Sequence, residues 1–106
     1  MSRFTTVVDR LAAVIETRRD GDASASYTAQ LLADLDRAAK KMGEEAVETV
    51  IAAAQGDRDA LTAESADLIY HWLVALAACG VSLDDVAAKL EAREGTSGLA
   101  EKAGRK

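Results

Sequence analysis

Two long helical patterns separated by only two residues dominate this chain. Small and apolar residues recur every three or four positions from about residue 36 to residue 55, and again from residue 58 to residue 79, which is the spacing of an amphipathic helix. Gly56 interrupts the pattern, and Asp57 suits the N-cap of the helix that follows. Helices joined by so short a connection are usually antiparallel neighbours. The sequence therefore predicts a helical hairpin that turns at Gly56.

Shorter helical patterns flank the hairpin on both sides. Residues 5–19 are amphipathic, residues 27–34 follow Ser26 as a predicted N-cap, and Ser82 with Asp85 resembles a capping box that opens a last helix to about residue 94. The chain has no proline and few aromatic residues, which favours helix over sheet. We predict a single all-α domain over residues 1–106, a bundle of four to five helices in which residues 95–106 form a flexible basic tail.

The charge and composition disfavour several classes of function. The chain has 13 Lys and Arg residues against 18 Asp and Glu residues, a net charge of −5, which argues against binding of a nucleic acid polymer. Its apolar runs fall far short of the ~20 residues that a membrane-spanning helix needs. Cys79 has no second cysteine with which to form an intramolecular disulfide. We expect a cytoplasmic protein that does not enter a membrane, with Cys79 in its core.

The supply of large apolar side chains is small for a chain of this length. Its aromatic residues are Phe4, Tyr27, Tyr70 and Trp72, and a core that rests on so few large side chains is thin for a monomer. We therefore expect the bundle to be completed by homodimerisation.

Two pairs of acidic residues lie symmetrically about the predicted turn. Glu45 and Glu48 are three residues apart, as are Glu64 and Asp67, so each pair shares a helix face. Glu48 and Glu64 are equally distant from Gly56, and so are Glu45 and Asp67. At a rise of ~1.5 Å per residue the two pairs fall at matching heights, roughly 12 and 16 Å from the turn. The spacing determines height, whereas convergence also depends on the rotation of each helix about its axis.

Convergent carboxylates would need a cation, because each negative charge opposes the ionisation of its neighbours. An all-oxygen anionic site selects a hard cation such as Mg²⁺, with Mn²⁺ as a possible substitute. Such an ion can bridge to substrate phosphates, polarise a phosphoryl oxygen and activate water for hydrolysis of a phosphoanhydride. The alternative is that these acids form an ordinary solvated face, since acidic residues are abundant in this chain.

The acidic motif carries a family resemblance. EEAVE at residues 44–48 and ESAD at residues 64–67 resemble the EExxE…ExxD signature of the all-α nucleotide pyrophosphohydrolases. Further segments resemble those of one branch, the phosphoribosyl-ATP pyrophosphatases of histidine biosynthesis. They are SYTAQLL at 26–32, KKMGEEA at 40–46, ADLIYH at 66–71, SG at 97–98 and EKA at 101–103. The resemblance implies hydrolysis of phosphoribosyl-ATP to phosphoribosyl-AMP and pyrophosphate with Mg²⁺. A housecleaning nucleoside triphosphate pyrophosphohydrolase and a non-catalytic helical dimerisation module are the alternatives.

The resemblance also implies a set of site residues. The metal ligands would be Glu45, Glu48, Glu64 and Asp67, with Glu44 as a further catalytic residue. Candidate substrate-binding residues are Tyr27, Lys41, Arg93, Ser97, Gly98 and Lys102. Lys41 lies on the same face of the predicted helix as Glu45 and Glu48. It could reach a phosphate of the substrate, or it could form an ion pair with Glu45. Gly43 could allow close backbone approach beside the metal or tight packing of two helices, and His71 is predicted to be a packing residue.

Overall fold

The computed structural model describes residues 2–95, which form five helices. These are α1 (Arg3–Thr17), α2 (Tyr27–Leu32), α3 (Leu35–Gln55), α4 (Arg58–Ala78) and α5 (Leu83–Ala92). The predicted all-α architecture is confirmed, and residues 2–95 contain no β-strand. All but the first residue of the predicted basic tail lies outside the described part of the chain.

Polar caps determine where the helices begin. The side chains of Ser2, Ser26, Asp34, Asp57 and Ser82 each accept a hydrogen bond from a backbone N–H in the first turn of the helix that follows. The predicted capping box at Ser82 and Asp85 is present. The prediction that α2 extends to residue 34 was wrong, because Asp34 caps α3 and α2 ends at Leu32.

The predicted hairpin consists of α3 and α4, which pack along one another. Gly56 ends α3 in the left-handed conformation, with φ of 65°, which glycine adopts without the steric cost of a Cβ atom. The Asp57 carboxylate then accepts a hydrogen bond from the backbone N–H of Ala60 at 3.0 Å. Two residues therefore reverse the chain.

Helix α4 is the central element, because α1, α2 and α3 all pack against it. Its apolar side chains are accordingly spread around the helix rather than confined to one stripe. The main cluster of buried residues draws on all four of these helices: Ile15, Leu31, Ala38, Leu73 and Val74. Cys79, predicted to be in the core, is exposed, since it is the C-cap residue at the end of α4.

Within residues 2–95, no single helix has both the length and the apolar composition needed to span a bilayer. Helices α4 and α5 meet those criteria only when they are joined, and the chain bends by 104° between them.

Candidate metal-binding active site

Three of the four predicted ligands converge in the α3–α4 hairpin. Glu45 and Glu48 from α3 and Glu64 from α4 each offer a carboxylate oxygen, and these oxygens all lie within 4.8 Å of one another. Matching heights alone would not produce this cluster, because the helices must also be rotated so that the acidic faces meet. The packing of α3 along α4 has that rotation. We call Glu45, Glu48 and Glu64 the glutamate cluster.

Asp67 stands beside the glutamate cluster but is not part of it. Its charge contributes to raising the pKa of Glu45, so its carboxylate acts on the cluster electrostatically. It lies one turn beyond Glu64 on α4, and its backbone carbonyl accepts a hydrogen bond from Nδ1 of His71 at 2.8 Å. Asp67 is therefore an electrostatic neighbour of the glutamate cluster.

The glutamate cluster contains two buried oxygens without a hydrogen-bond donor. Oε2 of Glu45 and Oε2 of Glu64 are inaccessible to solvent, and neither has a hydrogen-bond partner in the described part of the chain. A buried, unsatisfied carboxylate oxygen is costly in free energy, because it loses its hydration and gains nothing in return. Glu48 is exposed, so one side of the cluster opens to solvent. The donor set therefore fits a hard cation that enters from the Glu48 side.

Burial and the proximity of other carboxyl groups raise the pKa of two members of the glutamate cluster. The pKa of Glu64 is raised to about 7, chiefly by the interaction of its carboxyl group with that of the adjacent Glu48, with further contributions from burial and from the charges of Glu48 and Glu45. The pKa of Glu45 is raised as well, first by burial and then by Glu48 and Asp67, while His71 acts in the opposite direction. Near neutral pH the Glu64 carboxyl group of the metal-free protein is therefore protonated in part of the molecules, and a bound cation would displace that proton.

Thr49 joins the two helices directly beneath the glutamate cluster. Its hydroxyl donates to the backbone carbonyl of Glu45 at 2.7 Å and lies 3.3 Å from the carbonyl oxygen of Glu64. Both contacts involve the backbone of a cluster residue, so Thr49 helps to hold the spacing of α3 and α4 at the site. Sequence reasoning missed this residue, although a hydroxyl four residues after Glu45 is the available signal.

Tyr27 and His71 form a polar layer behind Asp67. Because the Asp67 carbonyl can only accept, Nδ1 of His71 carries the hydrogen, and Nε2 can then accept from the Tyr27 hydroxyl at 3.4 Å. His71 is 7% exposed and packs edge-on against Tyr70. The Arg37 guanidinium lies over the Tyr27 ring, 5.5 Å from its centroid. His71 thus has the predicted packing role, and Tyr27 remains partly exposed beside the site.

Lys41 pairs with Glu44 rather than with Glu45. Its ammonium group lies 3.2 Å from the Glu44 carboxylate, and both side chains are partly exposed. This ion pair places a cation and an additional acid in the turns of α3 that lead to the glutamate cluster. Arg93 is the C-cap residue of α5 and is exposed. The remaining predicted substrate-binding residues, Ser97, Gly98 and Lys102, lie outside the described residues.

Two grooves of the described chain are lined by residues outside the glutamate cluster. One, of about 450 Å³, lies among α1, the end of α4 and the start of α5, and is lined by Glu16, Arg19 and Leu76 among others. The other, of about 480 Å³, runs between α1 and α4 and is mainly apolar, with Phe4, Leu11 and Ile69 in its wall. An apolar groove offers nothing to neutralise a polyphosphate. The chemistry of the side chains, rather than cavity size, therefore identifies the candidate site.

Known proteins resemble this chain over most of its length. The profile of a family described as phosphoribosyl-ATP pyrophosphohydrolase matches residues 8–94. A phosphoribosyl-ATP pyrophosphatase of Caulobacter vibrioides is 70% identical over 103 residues, which cover 97% of this chain and 96% of the relative. Proteins of the same name from Caulobacter sp. and Cereibacter sphaeroides are 68% and 57% identical, over 99% and 94% of this chain and 98% of each relative. The chain belongs to the phosphoribosyl-ATP pyrophosphohydrolase family of enzymes.

Proposed function

We propose that this protein hydrolyses phosphoribosyl-ATP to phosphoribosyl-AMP and pyrophosphate with Mg²⁺, the second step of histidine biosynthesis, in the cytoplasm. One structural observation carries the metal part of the proposal: two buried carboxylate oxygens, on Glu45 and Glu64, lack any donor within a cluster of three glutamates. A hard cation is the ligand that satisfies such oxygens. The names of the relatives, which share up to 70% identity, support the substrate.

Glu45, Glu48 and Glu64 would hold the ion, and Asp67 would reach it from the next turn of α4. When bound, Mg²⁺ neutralises the charge of a triphosphate and polarises its phosphoryl oxygens. The protein contributes the placement of these carboxylates on two helices that a two-residue turn and Thr49 hold in register. Fixed ligands align the phosphoanhydride for attack by water without further rearrangement. Lys41 could exchange its partner Glu44 for a phosphate oxygen of the substrate.

Substitution of the four acids tests the assignment. Glu45→Gln, Glu48→Gln, Glu64→Gln and Asp67→Asn each preserve shape and remove charge, so turnover of phosphoribosyl-ATP, followed as pyrophosphate release, should fall by orders of magnitude. Helical circular dichroism should persist. Glu91→Gln on α5 removes the same charge at an exposed position and should leave turnover unchanged. Activity within tenfold of wild type for two of the four variants would refute this metal site.

The alternative substrates are discriminated by the same assay. Other nucleoside triphosphates also present a triphosphate to a carboxylate-held ion, so a housecleaning pyrophosphohydrolase would share the glutamate cluster. Turnover of phosphoribosyl-ATP should exceed that of each common ribo- and deoxyribonucleoside triphosphate when kcat/KM values are compared. A preference for a deoxyribonucleoside triphosphate would assign the chain to that other activity and leave the metal site intact.

A second phosphate distinguishes phosphoribosyl-ATP from ATP. It is carried by the added ribose, remote from the triphosphate, and it requires cations of its own because one ion reaches few oxygens. We assign this role to Arg93 and Lys102 around Ser97 and Gly98. Deletion of residues 95–106 should raise KM for phosphoribosyl-ATP strongly and change any weak hydrolysis of ATP little, since ATP lacks that phosphate. Equal damage to both substrates would mean that the segment is structural.

A further inference from the structure

The guanidinium group of Arg37 is held in place by uncharged groups. It lies over the ring of Tyr27, 5.5 Å from the centroid, and its Nη1 donates a hydrogen bond to Oε1 of Gln30 at 3.2 Å. Gln30 is itself fixed, because its amide group donates to the backbone carbonyl of Ala23 at 2.8 Å. These contacts orient the side chain of Arg37 without neutralising its positive charge.

No acidic side chain neutralises Arg37 either. Within residues 2–95, no carboxylate lies at ion-pair distance from it, although Asp34 and Asp36 are its neighbours in sequence. Asp34 instead accepts a hydrogen bond from the backbone N–H of Arg37 as the N-cap of α3. Arg37 thus lies in the first turn of α3, where the helix dipole favours an anion over a cation. A guanidinium that is oriented but unpaired is prepared to bind an anion from outside the chain.

Two hydrogen bonds connect Arg37 with the helix that carries Glu64 and Asp67. Tyr27, under the guanidinium, donates its hydroxyl hydrogen to Nε2 of His71 at 3.4 Å. Nδ1 of His71 donates in turn to the backbone carbonyl of Asp67 at 2.8 Å. His71 is 7% exposed, so this connection is anchored in a packed part of the protein. The guanidinium therefore has a defined position relative to the glutamate cluster.

Arg37 shares a face of α3 with the glutamate cluster. Positions 37, 41, 45 and 48 follow one another at intervals of four, four and three residues, which places their side chains along one side of the helix. At a rise of ~1.5 Å per residue, Arg37 lies roughly 12 Å along the axis from Glu45. Lys41 lies midway and already pairs with Glu44. The face thus presents an ion-binding group of acids and, two turns away, an unpaired cation.

This arrangement suits a substrate with two separate anionic groups. Phosphoribosyl-ATP carries a triphosphate and, on the added ribose, a second phosphate remote from it. We propose that Arg37 binds the phosphate of the added ribose, and that Tyr27 and His71 are positioning residues that hold its guanidinium for this contact. Two N–H groups of a planar guanidinium can donate to two oxygens of one phosphate. The inference rests on the proposed function and adds Arg37 of α3 to Arg93 and Lys102 as a ligand of this phosphate.

Steady-state kinetics with phosphoribosyl-ATP and calorimetric binding of phosphoribosyl-AMP test the role of Arg37. Arg37→Gln should raise KM and the Kd of phosphoribosyl-AMP by about 10- to 100-fold, the effect of losing a charge-assisted hydrogen bond, and should change kcat less than KM. Arg37→Lys keeps the charge without the planar donor pair, so its effect should be intermediate. The control Arg10→Gln removes the same charge from an exposed position of α1 and should behave as wild type.

The outcomes separate this inference from the proposed function. If wild type does not hydrolyse phosphoribosyl-ATP, the proposed function fails and the inference fails with it. If wild type hydrolyses it and Arg37→Gln leaves both KM and the Kd of phosphoribosyl-AMP unchanged, only the inference is overturned. A loss in kcat with unchanged KM and Kd would also overturn it, because Arg37 would then not bind the remote phosphate.

Two neighbouring substitutions distinguish substrate binding from a structural role. Gln30→Glu places a carboxylate beside Nη1 of Arg37, so it should preserve helical circular dichroism but raise KM by occupying the guanidinium. Added to Arg37→Gln, the same change should raise KM no further. An unchanged KM in Gln30→Glu would mean that Arg37 only packs on Tyr27.

Tyr27→Phe keeps the aromatic ring beneath Arg37 but removes the hydrogen bond to His71. KM for phosphoribosyl-ATP should rise by about two- to tenfold, the effect of one neutral hydrogen bond, while kcat stays near the wild-type value. A KM equal to that of wild type would overturn the positioning role of Tyr27 and His71.

Discussion

Binding of Mg²⁺ to the glutamate cluster should release protons and weaken steeply as the pH falls below 7. The cause is the carboxyl group of Glu64, whose pKa is raised to about 7 by the adjacent Glu48, by burial and by Glu45. A carboxyl group must lose its proton before it coordinates a cation. The perturbation is therefore a change of pH alone, with no change of sequence.

The size of the effect follows from the pKa of Glu64. A group with a pKa of about 7 is protonated in a fraction of about 0.9 of molecules at pH 6, about 0.5 at pH 7 and about 0.1 at pH 8. The apparent Kd for Mg²⁺ should therefore rise about tenfold between pH 8 and pH 6, and binding at pH 7 should release about half a proton from this group. The pKa of Glu45 is also raised, and its protonation likewise raises the apparent Kd for Mg²⁺ as the pH falls.

Isothermal titration calorimetry provides the assay. Mg²⁺ titrations at pH 7 in two buffers of different ionisation enthalpy report the number of protons released, and titrations from pH 6 to pH 8 report the change in Kd. The control is Glu91→Gln, an exposed acid on α5, which should reproduce the wild-type curve. A Kd that is independent of pH, with no proton release, would refute the raised pKa of Glu64.

The same proton affects the stability of the metal-free protein. A carboxyl group whose pKa is higher in the folded state than its ordinary value of 4.5 stabilises the fold when it is protonated. That contribution is fully present below about pH 4.5 and is lost as the pH rises to about 7. In EDTA, the Tm should therefore fall between pH 5 and pH 8. Glu48→Gln, which removes the main cause of the shift, should flatten this dependence.

Three further substitutions test the fold around the site. Leu31→Ala opens a cavity at a side chain that is 0% exposed and should lower the free energy of unfolding by about 2–5 kcal/mol in urea titrations; a loss below about 1 kcal/mol would contradict the packing. Asp57→Ala should cost about 1 kcal/mol through loss of the α4 N-cap while Asp57→Asn costs little, and equal losses would exclude a capping role. Thr49→Val should cost about 1 kcal/mol and raise the apparent Kd for Mg²⁺, and an unchanged Kd would show that Thr49 does not position the glutamates.

Much of the helical architecture was predictable because it depends on residues close in sequence. The Gly56–Asp57 turn, the Ser26 cap and the capping box at Ser82 each involve groups within a few positions of one another. The error at the end of α2 has the same origin. Asp34 is compatible with the end of one helix or with the N-cap of the next. In the folded chain it is the N-cap of α3, which begins at the following residue.

Helix rotation and the surroundings of each helix were not predictable from the sequence. On a helix, Lys41 can form an ion pair with either Glu44 or Glu45 at a similar cost in free energy. In the folded chain it pairs with Glu44. Cys79 belongs to an apolar run that predicts a core residue, yet it is exposed at the C-terminal end of α4. Val47 and Val50 have the spacing of packing positions on α3, and only the placement of the neighbouring helices shows that they are exposed.

The sequence by itself determined the helices, their order, the hairpin and the heights of four acidic residues above its turn. These features follow from helical rise, capping chemistry and a two-residue connection, all of which are local. Only the tertiary structure decided that Glu45, Glu48 and Glu64 converge while Asp67 remains at the edge, and that Thr49 lies between their helices. Such placement depends on how α3 and α4 are rotated about their axes where they pack together, which is a property of contacts between residues distant in sequence.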